Sequence, residues 1–330
     1  MTSTASRPVA LASAAPGSSA RLRTTGLIMG VASALAFSSS GPFVKPLLEA
    51  GWSLGAALLV RMGVAGLVLS PALFLAMKRQ RGFLRRHWRL IVGFGLMPVL
   101  GCQLFFFSAM QRMPVAVALL IQYLAPVMMV VAVWVRTRKA PSALVLWGSL
   151  VAIVGLVLVV DISGASFDLI GTLLALAAAV CVCAYFVISE RAGDDLPPLA
   201  LAASGLLTGA IVMGILCATG IMPFQAPAVS VVLAGTAVPW WMPLLWVAGV
   251  ATTLGYAFGV MAVPRIGSRV ASFVGLSEVL FALMFAWIFL AEVPAPIQFA
   301  GGALILVGVV LVRADASSTA NARGEAAVPS

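Results

Sequence analysis

The chain has 330 residues, 62% of them hydrophobic and 9% charged, whereas soluble domains run near a quarter charged. Its apolar residues fall in runs of about 20, the length of helix that crosses a hydrocarbon layer about 30 Å thick, which excludes an ordinary water-soluble domain. The formal charge of +10 does not point to nucleic acid, because the basic residues sit in short segments between apolar runs, without interleaved aromatics.

Residues 1–25 are rich in Ala, Ser, Thr and Pro and read as a disordered cytoplasmic tail. The Ala-Ser-Ala-Ala stretch in it precedes the first apolar run, whereas a signal-peptide cleavage site follows one. Apolar runs predict membrane spans near 26–45, 54–77, 90–110, 114–135 and 142–160, and again near 168–189, 198–219, 240–262, 268–290 and 296–313. Residues 26–160 and 168–313 therefore form two five-helix repeats, and 314–330 a second disordered tail. The segment 220–239, broken by Pro223, Pro227 and Pro239, reads as an interfacial loop, with Trp240 and Trp241 as aromatic anchors.

With the N-terminus inside, the cytoplasmic segments hold 17 Lys and Arg and the outer loops two, Lys45 and Arg112, with Arg61 inside a span. That bias predicts an even number of spans and two cytoplasmic termini. His87, in the basic stretch Arg85-Arg86-His87-Trp88-Arg89, reads as a solvated loop histidine. The four cysteines, Cys102, Cys181, Cys183 and Cys217, all lie in apolar runs and read as small apolar filler, not as disulfides or a metal clip.

The later part of each half aligns without gaps at an offset of 153, through Arg112/Arg265, Trp134/Trp287, Pro141/Pro294, Gly148/Gly301 and Gly155/Gly308 among others. Composition alone supplies matched Val, Leu and Ala, but not this set in one register. The earlier parts align more weakly at 145, through Gly26/Gly171 and Ala32/Ala177. Arg112 falls outside and Arg265 inside, as an odd number of spans per repeat requires. The predicted fold is an all-α integral membrane protein of ten helices in two inverted five-helix repeats, an architecture suited to alternating access.

The sequences Ser277-Glu278-Val279, Leu290-Ala291-Glu292 and the Gly-rich run Gly301–Gly308, with Leu124-Ala125-Pro126-Val127 in the first repeat, resemble motifs of the drug/metabolite transporter superfamily in its EamA-type branch. The resemblance covers roughly residues 26–313. The second repeat lacks the proline of the family's Glu-Pro-Val-like segment and the glycine of its Leu-Gly-Glu-like end. The resemblance implies a multi-pass carrier in a cell membrane, here a bacterial inner membrane, exporting amino acids or related metabolites. It also implies a central cavity lined by helices 1, 3, 4, 6, 8 and 9.

Ionisable groups at membrane depth are costly and face a cavity or a partner. Two qualify, Glu278 and Arg61, readable as a coupling or substrate pair or as a structural ion pair. Polar and aromatic residues fall at matching repeat positions: Ser40 with Tyr185, Gln103 with Tyr256, Gln122 with Gly275 and Ala125 with Glu278. Tyr123 adjoins Gln122, and Thr252 and Thr253 precede Tyr256 by one helical turn. Ser40, Gln103, Gln122, Tyr123, Tyr185, Thr252, Thr253, Tyr256 and Glu278 thus compose the candidate substrate site, each readable also as an interhelical hydrogen bond. The stretch Ser38-Ser39-Ser40-Gly41-Pro42 predicts a break or gate in helix 1.

No phosphate-binding loop, HExxH or serine–histidine arrangement occurs, so no enzyme, cofactor or metal is expected. The partners are a small solute and the lipid bilayer, a homodimer being open. Two further readings are a carrier or exchanger of a nucleotide-like or sugar-like solute, and an intramembrane enzyme or receptor.

Overall fold

The structure, a computed structural model, describes residues 16–125, 127–128, 134–135, 138, 142–160, 168–191, 196–275, 277–291, 295–297, 299–308 and 310–311. The expected span 114–135 beyond residue 128, Pro126 and Glu292 of the family-like motifs, and both chain ends lie wholly or partly outside them.

Helix α1 is Pro16–Ser38 and α2 is Ser40–Glu49. The helix thus begins within the segment read as tail: Pro16 is pre-organised for a first helical turn, and lengthening a helix already nucleated by an apolar run costs little. The break expected near Ser38–Pro42 falls at Ser39, where the Ser38 and Ser39 hydroxyls donate back to the Leu35 and Ala36 carbonyls at 2.8 and 2.7 Å. Helix α3, Leu54–Arg79, is capped by Ser53, whose Oγ accepts from the Ala56 N–H at 3.2 Å, and ends on Lys78 and Arg79, which complement the helix dipole.

Helix α4, Phe83–Phe94, starts earlier than the expected span at 90. The cause is amphipathic spacing: Phe83, His87, Ile91 and Phe94 are buried on one side while Arg85, Arg86 and Arg89 stay exposed. His87 is therefore not a solvated loop residue; its ring packs 5.1 Å from that of Phe83. A π-helical segment, Gly95–Gly101, leads into α5, Cys102–Met110.

Then follow α6 (Val115–Gln122), α7 (Ala143–Val160), α8 (Leu169–Arg191) and α9 (Pro198–Ala218). The segment read as an interfacial loop contains a hairpin, β1 (Val231–Leu233) paired antiparallel with β2 (Thr236–Val238). Its turn residues Ala234 and Gly235 both have positive φ, 50° and 76°, as a tight hairpin demands. Val231 packs with Leu47, Trp52, Ala56 and Leu244, and Trp240 lies 5.5 Å from Trp52, so only Trp241 of the expected anchors projects freely.

Helix α10, Trp241–Leu245, runs through a second π-helical segment, Trp246–Leu254, into α11, Gly255–Gly275. Helix α12 is Ser277–Leu290 and α13 is Phe299–Gly308. Helical bonding thus crosses the expected loop around 263–267. Ile266 and Val274 both abut Gly30, although a straight helix would separate them by about 12 Å, so the path turns between these two residues.

Five described segments are long and apolar enough to cross a membrane: Arg23–Glu49, Leu54–Arg79, Phe83–Met110, Pro198–Ala218 and Trp241–Val263. Leu67, Val68, Phe74, Ile211 and Trp287 are among the large apolar side chains on the outer surface, as a lipid-facing belt requires.

Helices of the two halves interlock. Helix α3 packs on α9, α1 on α11, α5 on α8, α6 on α12, and α1 and α6 in turn on α12 and α8. Gly55 lies against Cys217 and Gly66 against Leu207, so α3 and α9, the second helix of each half, run antiparallel. The same holds for α7 and α13. A Cβ on Gly155 would stand 2.6 Å from the Gly301 carbonyl oxygen, and one on Gly308 would overlap the Gly148 carbonyl. Since Gly148 corresponds to Gly301 and Gly155 to Gly308, the two contacts are one contact seen twice, across a pseudo-two-fold axis. Outside the bundle, Arg112 pairs with Asp168 at 3.2 Å. The Asp168 carboxyl is held below the usual carboxylate range, chiefly by the Gly171 N–H and then by Arg112.

Gly155→Leu and Gly308→Leu are each expected to destabilise by about 2 kcal/mol or more, because the added atoms meet backbone. Gly63→Ala, whose Cβ would stand 3.9 Å from Ala210, is expected to be neutral or slightly stabilising. Thermal unfolding in detergent checks both. Because the Asp168 carboxyl is depressed, its tie to Arg112 is present at neutral pH and is lost as acid titrates it. Asp168→Asn should accordingly flatten the acid limb of the stability profile.

Candidate functional site

The helix irregularities recur in register. Gly95–Gly101 shifted by 153 falls on 248–254, inside the second π-helical segment, and the end of α6 at Gln122 corresponds to the end of α11 at Gly275. A π segment leaves backbone groups misaligned and rotates the side chains that follow it. In each half the residue two positions beyond it is a candidate site residue, Gln103 or Tyr256. The Thr252 and Thr253 hydroxyls donate to the Val247 and Ala248 carbonyls, both at 2.8 Å, which serves the widened turn. Ser33 on α1 donates to the Gly255 carbonyl at 2.8 Å, where that segment ends.

Arg61 lies in the middle of this region, 2% exposed. Its Nε donates to Thr252 Oγ1 at 3.0 Å, and its guanidinium carbon stands 4.8 Å from the centre of the Phe107 ring. Its Nη1 is buried without a hydrogen-bond partner. Gln103, one turn before Phe107 on α5, is buried with its amide N–H2 facing the Tyr256 hydroxyl in loose geometry and its Oε1 unpartnered. The Ser40 hydroxyl and Gln122 Oε1 are likewise buried and unpartnered, while Gln122 Nε2 approaches Cys102 Sγ at 3.8 Å. Unpaired buried polar atoms are rare in proteins. Here several lie on helices that meet around one guanidinium.

The second centre lies where the interrupted helices cross. Tyr123, just past the end of α6, brings its hydroxyl 2.7 Å from the Gly275 carbonyl oxygen and 2.9 Å from Glu278 Oε2. The phenol has one hydrogen and the carbonyl can only accept. With Tyr123 donating to Gly275, the Glu278 contact is completed by a proton on the carboxyl. With Glu278 ionised, one hydrogen serves two acceptors. Glu278 occupies the first turn of α12.

The expected ion pair of Arg61 with Glu278 does not form: Arg61 bonds to Thr252 and Glu278 to Tyr123. The structure joins Arg61, Thr252, Gln103 and Tyr256 into one group, and Tyr123 with Glu278 into another. Cys102 lies within electrostatic reach of both Arg61 and Glu278. The Tyr185 ring lies tilted 5.7 Å from that of Phe94, and Cys183 donates to the Ala125 carbonyl at 3.1 Å. Phe107, Phe37 at 5.1 Å from Tyr256, and Ser33 escaped the sequence reading, while Ser39, read there only as part of the break in helix 1, accepts from the Trp246 indole at 3.0 Å. Phe107 was reachable by stepping one turn from Gln103; Ser33 carried no such signal.

Compared with known proteins, the sequence pattern of the EamA-like transporter family matches residues 24–161 and again 169–314. Solved structures share the fold. One, described only as the crystal structure of a protein, superposes with a TM-score of 0.56 at 20% identity, over 90% of this chain and 96% of its own length. No curated protein matches the chain.

Tyr123→Phe removes the only hydrogen that the phenol offers to Gly275 and Glu278. It is expected to cost about 1–3 kcal/mol of stability, measured by thermal unfolding in detergent. An unchanged midpoint would mean the crossing is held by packing alone.

Proposed function

This chain belongs to the EamA-like transporter family, and from that premise we propose that it is a secondary carrier exporting amino acids or related small metabolites across a bacterial inner membrane. It spans the membrane ten times with both termini cytoplasmic, and it works by alternating access between inverted repeats. The observation that carries this reading is the crossing of the two interrupted helices, α6 and α11–α12, bridged by Tyr123. Interrupted helices expose peptide groups at membrane depth only where protein or a water-lined path meets them. Equivalent helices that run antiparallel supply the rest, since two such halves exchange roles when the central site opens to one side or the other.

The hydrogen-bonding roles around the crossing favour a mobile proton. Glu278 as a protonated donor completes the Tyr123–Gly275 bridge; its ionisation withdraws one hydrogen from three oxygens and loosens the crossing. Solute and proton then compete for, or cooperate at, the seam between the halves. A nucleotide-like solute fits less well, because multiple phosphate charges call for several cations and Arg61 is the single buried one among the described residues.

Purified protein in liposomes is expected to move labelled amino acids or related metabolites down an imposed gradient, with a rate that changes with pH. Failure of a broad solute panel to move under any gradient would end the carrier reading. In Glu278→Gln the side chain donates permanently to Tyr123, so the expected result is a folded protein whose flux no longer varies with pH. Unaltered pH dependence in that variant would return Glu278 to a purely structural role.

A further inference from the structure

We propose that Arg61 is the anchor for a carboxylate on the transported solute, which makes the substrate a small monocarboxylate with an ammonium or hydroxyl group beside its carboxyl. This inference rests on the carrier reading for its route but not for its chemistry, which is that of a binding site.

A guanidinium cannot shed its charge inside a protein, and a buried charge needs a counter-charge or leaves the site strongly unfavourable. Arg61 has none: among the described residues no carboxylate approaches it, and Glu278 is engaged by Tyr123. The Phe107 face and the Thr252 hydroxyl steady the cation without neutralising it. The missing negative charge therefore comes from outside the chain, and the unpartnered Nη1 marks where it binds.

The surroundings specify its shape. Thr252 and Tyr256 present one helical face from the second half, and Gln103 and Phe107 present the equivalent face from the first, with Arg61 between them. A guanidinium edge matches a planar carboxylate. Beside it the Gln103 amide is buried, its N–H2 facing the Tyr256 hydroxyl and its oxygen in no hydrogen bond. The acceptor requires a hydrogen on the ligand, which an ammonium or hydroxyl on the neighbouring carbon supplies. Chloride offers nothing to the Gln103 acceptor.

The test is equilibrium binding and thermal stabilisation of the purified full-length protein, comparing L-amino acids and 2-hydroxy acids with their carboxamides, and with chloride and inorganic phosphate. At least one acid is expected to bind, with its carboxamide weaker by about thirtyfold or more. Arg61→Lys keeps the charge but loses the planar fork and should weaken the acid by about tenfold. Arg61→Gln should abolish the acid–amide difference; if that variant does not fold, the wild-type and Arg61→Lys comparisons decide. Carboxamides binding as well as acids, chloride or phosphate protecting equally, or no acid binding at all would overturn the anchor. Acid-selective binding without flux in liposomes would leave the anchor standing and remove the carrier. Flux indifferent to loss of the carboxylate would do the reverse.

Discussion

Inside a hydrocarbon layer a peptide group released from its helix finds no water, so each departure from regular helix must be answered by another part of the protein. This constraint organises the molecule. The departures near its centre come in pairs, two π-helical segments and two interruptions, placed at the same register in both halves. Their partners come across the seam: Ser33 serves the Gly255 carbonyl, and Tyr123 serves Gly275. Cys183 of the second half in turn serves the Ala125 carbonyl of the first, and these bonds tie the two halves into one fold and put polar groups where they meet.

Away from the seam the opposite tactic holds. Gly148, Gly155, Gly301 and Gly308 bring α7 and α13 together with backbone against backbone, a contact that needs no polar group and tolerates no side chain. A bundle pinned by small residues at its edge and by single hydrogen bonds at its centre has its weaker interactions at the seam between the halves. Arg61 belongs to that centre. It is anchored at Nε and over its ring contact while part of the guanidinium stays unsatisfied, so the protein holds the cation in place without neutralising it.

Much of this was legible in the sequence. The 153-residue register was visible because Gly, Pro, Trp and Arg recur where apolar composition would not put them, and the same glycines form the pseudo-symmetric helix contact. Gln103 and Tyr256 were found as a matched pair and lie together. The start of α4 was missed because charges were read as a boundary, although Phe83, His87 and Ile91 already carried a helical spacing. The hairpin at 231–238 hid in an apolar, proline-broken stretch whose turn, Ala234-Gly235, is a weak signal. Arg61 and Glu278 were picked out by cost, but cost does not say which partner relieves it. That depends on which side each helix turns toward, and π-helical segments and interruptions change this without leaving a mark in hydrophobic periodicity.

The central claim is that two antiparallel halves exchange conformations about the seam at Tyr123. Its most direct test is a pair of distance measurements on spin-labelled protein in liposomes. One pair, Gln111 and Ala234, lies at the end of the bundle that carries the hairpin; the other, Arg81 and Arg265, lies at the opposite end, and all four are exposed. The expected result is two populations for each pair, shifting in opposite senses as pH or solute changes, so that one end widens when the other narrows. A single unchanged distance for both pairs under every gradient would contradict it.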